Sequence, residues 1–202
     1  MKLVRNIIIC FAFYFLTSAV NAQDYTITLL PFSTEKYHEF APVYYRGDIV
    51  FCSNRKNSLF IDYTDERENM PLLDLYLVEE TGRNEWGKAQ IFDKSLTTYF
   101  YEGPASFNDR GSEVYFTRNN NVKKKIGNSI DRNNKLGIYY SKYSRVNGWS
   151  EPEPFKHNNP DFNFAHPSLS EDGNSLYFVS DMEGGFGGTD LYVSKMVNGE
   201  WG

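Results

Sequence analysis

Three segments of the chain follow one pattern, and a repeat of this length constrains the fold more than any single residue can. Residues 41–54 read APVYYRGDIVFCSN, residues 103–119 read GPASFNDRGSEVYFTRN, and residues 166–181 read HPSLSEDGNSLYFVSD. Each has a proline near its start, turns at a glycine and closes on an apolar run. Pro42, Pro104 and Pro167 lie 62 and 63 positions apart. Trp86 precedes Pro104 by 18 residues, and Trp149 precedes Pro167 by 18. Tyr76, Tyr139 and Tyr192 precede Trp86, Trp149 and Trp201 by 10, 10 and 9.

Each copy reads as four strands. The first follows the proline (PVYY, PASF, PSLS), and the second is IVFCS, VYFTR or LYFVS. The third is DLYLV, GIYYS or DLYVS, and the fourth follows the tryptophan. Gly47, Gly111 and Gly173 supply the positive φ of the tight turns between first and second strands. No stretch carries a sustained helical stripe, so the pattern is all-β. The second and third strands are apolar at consecutive positions, which calls for cover on both faces. A sandwich strand alternates inward and outward instead. Four-stranded sheets covered on both faces by copies of themselves describe a β-propeller of four-stranded antiparallel blades. The repeats span residues of about 24–86, 87–149 and 150–202.

The chain start has the layout of a secretory signal peptide over residues 1–22. Lys2 and Arg5 precede the apolar run Ile7 to Leu16, and Val20-Asn21-Ala22 is a small-residue exit before Gln23. That run is short of the roughly 20 residues a spanning helix needs, so no transmembrane segment is expected after cleavage. Losing Lys2 and Arg5 leaves 19 basic against 26 acidic side chains, a formal charge of −7. An acidic exported domain is a poor match for nucleic acid. Cys52 alone remains after cleavage, so no internal disulfide is available and the thiol reads as a small buried hydrophobe.

The phase of the repeat bears on completeness. YTITLLPF, residues 25–32, occupies the fourth-strand position of a blade that would precede the first copy. About three blades are present, fewer than the four to eight of a typical ring. The expectation is therefore a partial ring over 23–202, a fragment with blades missing downstream.

The units HPSLSEDGNSLYFVSDMEGGFGGTDLYVSKMVNGEWG and EGPASFNDRGSEVYFTRNN resemble the WD-repeat-like propeller motif of TolB-type proteins. In particular they resemble the version found in large OmpA-family envelope proteins of Gram-negative bacteria. The resemblance covers roughly residues 24–202. The first copy departs from it, with its turn shortened to Arg46-Gly47-Asp48. The resemblance implies a non-catalytic binding and scaffold module of the cell envelope, periplasmic or associated with the outer membrane. It also implies a larger OmpA-like protein with a protein or envelope-glycan partner. The competing reading is an accessory propeller gating substrate access to an exported peptidase or glycosidase.

No catalytic constellation is recognisable, and no cofactor is expected. His38-Glu39-Phe40-Ala41-Pro42 starts like a zinc-protease helix but has proline where the second histidine must stand. Gly127-Asn128-Ser129-Ile130-Asp131 lacks the last glycine of a nucleophile elbow. His157 and His166 are nine apart without a cysteine partner, which is poor metal spacing. His166 reads as a packing or turn residue.

Binding is the remaining role, and it points to the connections between second and third strands. These are long and unlike one another: residues 55–73, 119–135 and 181–189. Variable loops on a constant repeat are where specificity is built. The candidate contact residues are Arg118, Lys123, Lys124, Lys125, Asp181, Phe186 and Asp190. Phe186 is foremost, being an aromatic held between glycines. For Asp181 and Asp190 the simpler reading is that they hydrogen-bond loop amides.

Overall fold

A computed structural model describes residues 25–55, 64–65, 70–98, 100–122, 125–126 and 134–202. The expected signal peptide lies outside the described residues. The chain divides into a unit up to Leu30 and a unit from Pro31 to Gly202. Of the first, Tyr25–Leu30 are described. They form no strand, where the sequence predicts one over 25–32, and Tyr25, Ile27 and Leu29 are exposed.

The second unit is all-β. No helix occurs among its described residues, and the strands form three principal antiparallel sheets. The first sheet runs in the order β1 (Glu39–Tyr45), β2 (Asp48–Ser53), β3 (Asp74–Val78), β4 (Gln90–Ile91). The second has five strands and repeats that order with β5 (Glu102–Phe107), β6 (Glu113–Asn119), β7 (Leu136–Ser144) and β8 (Glu153–Pro154), the short strand Gly148–Trp149 pairing with the end of β7. The third has β9 (Phe164–Leu169), β10 (Ser175–Ser180), β11 (Asp190–Val197) and β12 (Glu200–Trp201).

Register shows that these are copies. Phe51, Phe116 and Phe178 stand opposite Tyr76, Tyr139 and Tyr192. The repeated proline does not start the first strand, as the sequence suggests, but sits inside it at a bulge. The ladder shifts at Ala41-Pro42, Gly103-Pro104 and His166-Pro167. A proline lacks the donor a ladder needs, so a bulge in an edge strand is where it fits. Ala41 and His166 adopt positive φ there, at 51° and 53°. The Arg46-Gly47 turn is a two-residue hairpin with φ of 54° and 98°, the mirror-image geometry that matches strand twist. Arginine accepts this backbone here while its guanidinium stacks over Tyr45 and over Tyr143 of the second sheet, at 5.2 and 4.9 Å.

The sheets pack face to face, and alternation along the strands decides which neighbour each residue meets. Val50 and Cys52 of the first sheet share a core with Val114 and Phe116 of the second. Tyr115 and Ile138, on the other face of the second sheet, share a core with Leu176 and Phe178 of the third. The first strand of each later sheet lies against the sheet before it. His166 N–H donates across this joint to Thr117 Oγ1 at 2.9 Å, and Leu169 N–H to Ser106 Oγ at 2.9 Å. An aromatic pair also recurs in the cores. Phe32, Phe92 and Phe155 meet Trp86, Trp149 and Trp201, with ring centroids 5.7, 5.6 and 6.4 Å apart.

The expectation of cover on both faces holds for the first two sheets. It fails for the outward face of the third, where Tyr177, Leu191 and Val193 are exposed.

Candidate functional site

The long connections leave the sheets at one end, where each second strand stops and each first strand starts. One hydrogen bond recurs there in all three copies. Asn54 Oδ1 accepts His38 N–H at 2.8 Å, Asn119 Oδ1 accepts Tyr101 N–H at 2.9 Å, and Asp181 Oδ1 accepts Asn163 N–H at 2.6 Å. The three acceptors follow Phe51, Phe116 and Phe178 by three positions each. Each ties the entry of a first strand to the exit of a second, and so fixes the root from which a variable connection springs.

Beside two of these latches stands a cation–carboxylate pair. Arg55 Nη2 lies 3.0 Å from Glu39 Oε1 and its guanidinium stacks over Phe51 and Tyr76. In the second sheet Arg118 Nε lies 3.0 Å from Glu102 Oε1, over Phe116 and Tyr139. The second pair is deeply buried, with 7% and 1% of the side chains exposed. Arg118 Nη2 also donates to Leu96 O at 2.7 Å, and Thr98 Oγ1 donates to Glu102 Oε1 at 2.5 Å. Arg118 Nε is close to its carboxylate without a hydrogen-bond angle, and Glu102 Oε2 has no partner among the described residues. Burial pushes the Glu102 carboxyl up to about 8, against the opposing pull of Arg118 and Thr98. Burial likewise lowers the Arg118 guanidinium from its ordinary value. The third sheet carries Phe164 at the carboxylates' register position, opposite Ser180, and Met182 at that of Arg55; Phe164 and Met182 join the apolar core.

A cleft of about 470 Å³ opens at this end between the first two sheets. It is lined by His38, Glu39, Phe40, Asn54, Pro71, Leu73 and Tyr101. Its lining is an imidazole, a carboxylate already held by Arg55 and Thr34, and aromatic faces. That arrangement can recognise a side chain or small polar group. Among the described residues no group of three His, Cys, Asp or Glu could hold a metal.

The sequence-predicted contact residues divide sharply. Arg118, expected on the loop surface, is buried in the ion pair and is unavailable to a partner. Asp181 is a latch, and its Oδ2 also accepts Asn163 Nδ2 at 2.7 Å. Asp190 Oδ2 accepts the N–H of Phe186 at 2.9 Å and of Gly187 at 3.0 Å, pinning the Gly-rich loop. A methyl on Gly185 would overlap the Asp190 carboxylate and lie 2.8 Å from Tyr192 Oη, so that loop closes only on glycine. Phe186, carried by it, is fully exposed at 105%. Lys123 and Lys124 lie outside the described residues. Lys125 is described only as backbone, pairing with Val122 in a short ribbon.

His166 is a bulge residue, in keeping with its reading as a turn position. Cys52 is buried, and burial pushes its thiol up to about 12. Sequence reasoning set His38 and Glu39 aside as an incomplete zinc-protease motif and passed over Tyr101, and all three line the cleft. The usable signal was the Glu39/Glu102 recurrence, 63 positions apart and at one register position of the first strand.

No protein-family model matches the chain, and no curated protein matches it. Among solved structures it is similar to a puromycin-hydrolyzing peptidase of Mycobacterium tuberculosis, at 10% identity with a TM-score of 0.48 over 82% of this chain. The chain spans 23% of that protein's length.

Proposed function

We propose that the chain is a run of three β-propeller blades acting as an exported, non-catalytic binding and scaffold module of the cell envelope. The observation that carries this reading is the contrast at the latched end. The hydrogen bond from Asn54, Asn119 or Asp181 is constant, while the connections it anchors differ in length and composition. A constant frame holding unlike loops is the arrangement of a recognition surface. Stacking of the sheets through their first strands supports the propeller. The resemblance to OmpA-family envelope proteins supports the compartment. Phe186, displayed on a pinned loop, is the anchor expected to enter a partner's apolar pocket.

The test is site-specific photocrosslinking in a Gram-negative host, with the reactive residue at Phe186 or, at the opposite end, at Asp172. Adducts with an envelope protein or glycan from Phe186 and not from Asp172 are expected. The reverse pattern refutes the assignment of the binding end. A mature chain starting at Gln23 by mass spectrometry is the expected mark of export, and a cytosolic chain retaining residues 1–22 refutes it.

A further inference from the structure

The cleft between the first two sheets holds an aromatic ring that the repeat itself does not require. Glu39, Glu102 and Phe164 share one register position, so the residues after them, Phe40, Gly103 and Ala165, share the next. The repeat keeps that place small. A methyl on Gly103 would lie 3.1 Å from Thr117 Cβ, and Ala165 is buried. Phe40 is 39% exposed, joins none of the three cores and makes no ring contact among the described residues. It lines the cleft, as does Tyr101. Phe40 comes from β1 and Tyr101 from the connection entering β5, so neighbouring sheets supply the two rings.

The polar groups beside these rings have hydrogen-bonding capacity left. The latch takes only the backbone N–H of His38, whose exposed imidazole has no hydrogen bond among the described residues. Glu39 Oε1 accepts Arg55 Nη2 at 3.0 Å and Thr34 Oγ1 at 2.6 Å, while Oε2 accepts only the Thr34 N–H, at 3.4 Å. A carboxylate oxygen takes two bonds, and a neutral imidazole has one donor and one acceptor. Charge then narrows the ligand. No lysine or arginine stands among the described residues that line the cleft, so an anion finds no counter-ion there. The Glu39 charge is already met by Arg55, so a cation gains little from it. An apolar side chain would strip water from His38 and Glu39 without replacing their hydrogen bonds. What remains is a neutral molecule with both an apolar face and hydroxyls.

We infer that the cleft binds a neutral sugar ring of a glycan. The C–H face of the sugar lies against the negative faces of the Phe40 and Tyr101 rings. Its hydroxyls donate to Glu39 Oε2 and exchange hydrogen bonds with the His38 imidazole. The cleft volume of about 470 Å³ falls within the roughly 300–1,000 Å³ of small-molecule sites, which are likewise lined by rings with a few polar groups. Its lining comes from residues 38–101 alone, within the first sheet and the entry to the second. The inference rests on the binding-module reading and deepens it: of the protein and glycan partners that reading allows, the cleft selects the glycan.

The test presents the full chain to an array of immobilised oligosaccharides and peptides. The neutral probes are oligomers of hexose and of N-acetylhexosamine. The others are uronic-acid oligomers, lysine-rich peptides and leucine-rich peptides. Binding to neutral oligosaccharides alone is the expected result. Phe40→Ala should weaken it by about tenfold or more, the loss found when a central aromatic contact is truncated. Its urea midpoint should not move, since the copies carry Gly103 and Ala165 at that place. Phe40→Trp should keep binding. His38→Ala, at an exposed side chain, should weaken it too and decides the matter if Phe40→Ala fails to fold. Binding only to charged or apolar probes overturns the inference, and so does neutral binding that both alanine variants leave intact. If no neutral oligosaccharide binds while a reactive residue at Phe186 cross-links an envelope protein, the sugar site falls and the binding-module reading stands. If array and cross-linking both stay blank, that reading falls with it.

Discussion

Asp181 separates a structural role from a recognition role, because the sequence marks it as a contact residue and the structure makes it a latch. Its two oxygens accept Asn163 N–H at 2.6 Å and Asn163 Nδ2 at 2.7 Å. Hydrogen bonds to a charged group contribute about 1.5–3 kcal/mol each. Both residues are half-buried, so solvent screening places each bond at the low end of that range. Asp181→Ala should therefore destabilise the fold by about 2–3 kcal/mol, leaving the Asn163 amide without its acceptor. Asp181→Asn restores the residue type that the first two copies use at this position, and should cost only about 1 kcal/mol. For a domain of this length the alanine variant should melt about 5–10 °C lower. Urea unfolding followed by tryptophan fluorescence and by circular dichroism measures both, with an unchanged m-value showing that the same surface is exposed. An alanine variant within about 0.5 kcal/mol of the parent, or an asparagine variant as costly as alanine, would refute the latch.

Three further outcomes follow from buried groups. Burial holds the Glu102 carboxyl near about 8 against 4.5 for the ordinary group, so the folded state keeps a proton that the unfolded chain sheds first. This contribution is complete below about 4.5 and is lost as pH rises towards about 8, by up to ~1.4 kcal/mol per pH unit; Glu102→Gln should flatten that part of the stability profile, and parallel profiles would contradict it. Phe155, 1% exposed and packed between Phe178 and Trp201, should cost about 3–5 kcal/mol as alanine, while Phe186→Ser should shift the urea midpoint negligibly; equal costs would contradict both placements. The Cys52 thiol, pushed up to about 12 by burial, should resist an aromatic disulfide reagent at pH 8 in the folded protein and react on unfolding; fast labelling of the native chain would show that the core around Val50 opens.

Much of the repeat is legible along the chain because its parts are local. A tight turn needs glycine, an edge-strand bulge accepts proline, and a strand covered on both faces must be apolar at consecutive positions. These requirements place Gly47, Gly111 and Gly173, the three prolines and the Tyr–Trp spacing at offsets that can be counted. The bulge itself escapes counting, since proline marks it without saying whether the strand begins at that point or passes through it. Phe32, Phe92 and Phe155 escape because their tryptophan partners lie 54, 57 and 46 positions further on, offsets too unequal to count.

The candidate site was legible only in part. Phe186 and the two aspartates behave as local chemistry suggests, one displayed by glycines and two capping amides. Arg118 does not. It closes the second strand beside the long connection, which is why the sequence marks it as a loop contact. It is buried because Glu102 enters from the adjacent strand and Leu96 offers a carbonyl from the connection before it. Glu102 is placed only by the bulge that sets the register of its strand, and Leu96 only by the packing of the connection before it.

Tyr115 and Tyr177 mark the same boundary. They hold one register position, follow one turn and stand in strands of similar apolar content, and that much the amino-acid order determines by itself. One is 3% and the other 49% exposed. Tertiary structure alone decides the difference, because burial belongs to the surface that arrives against a residue and not to the residue.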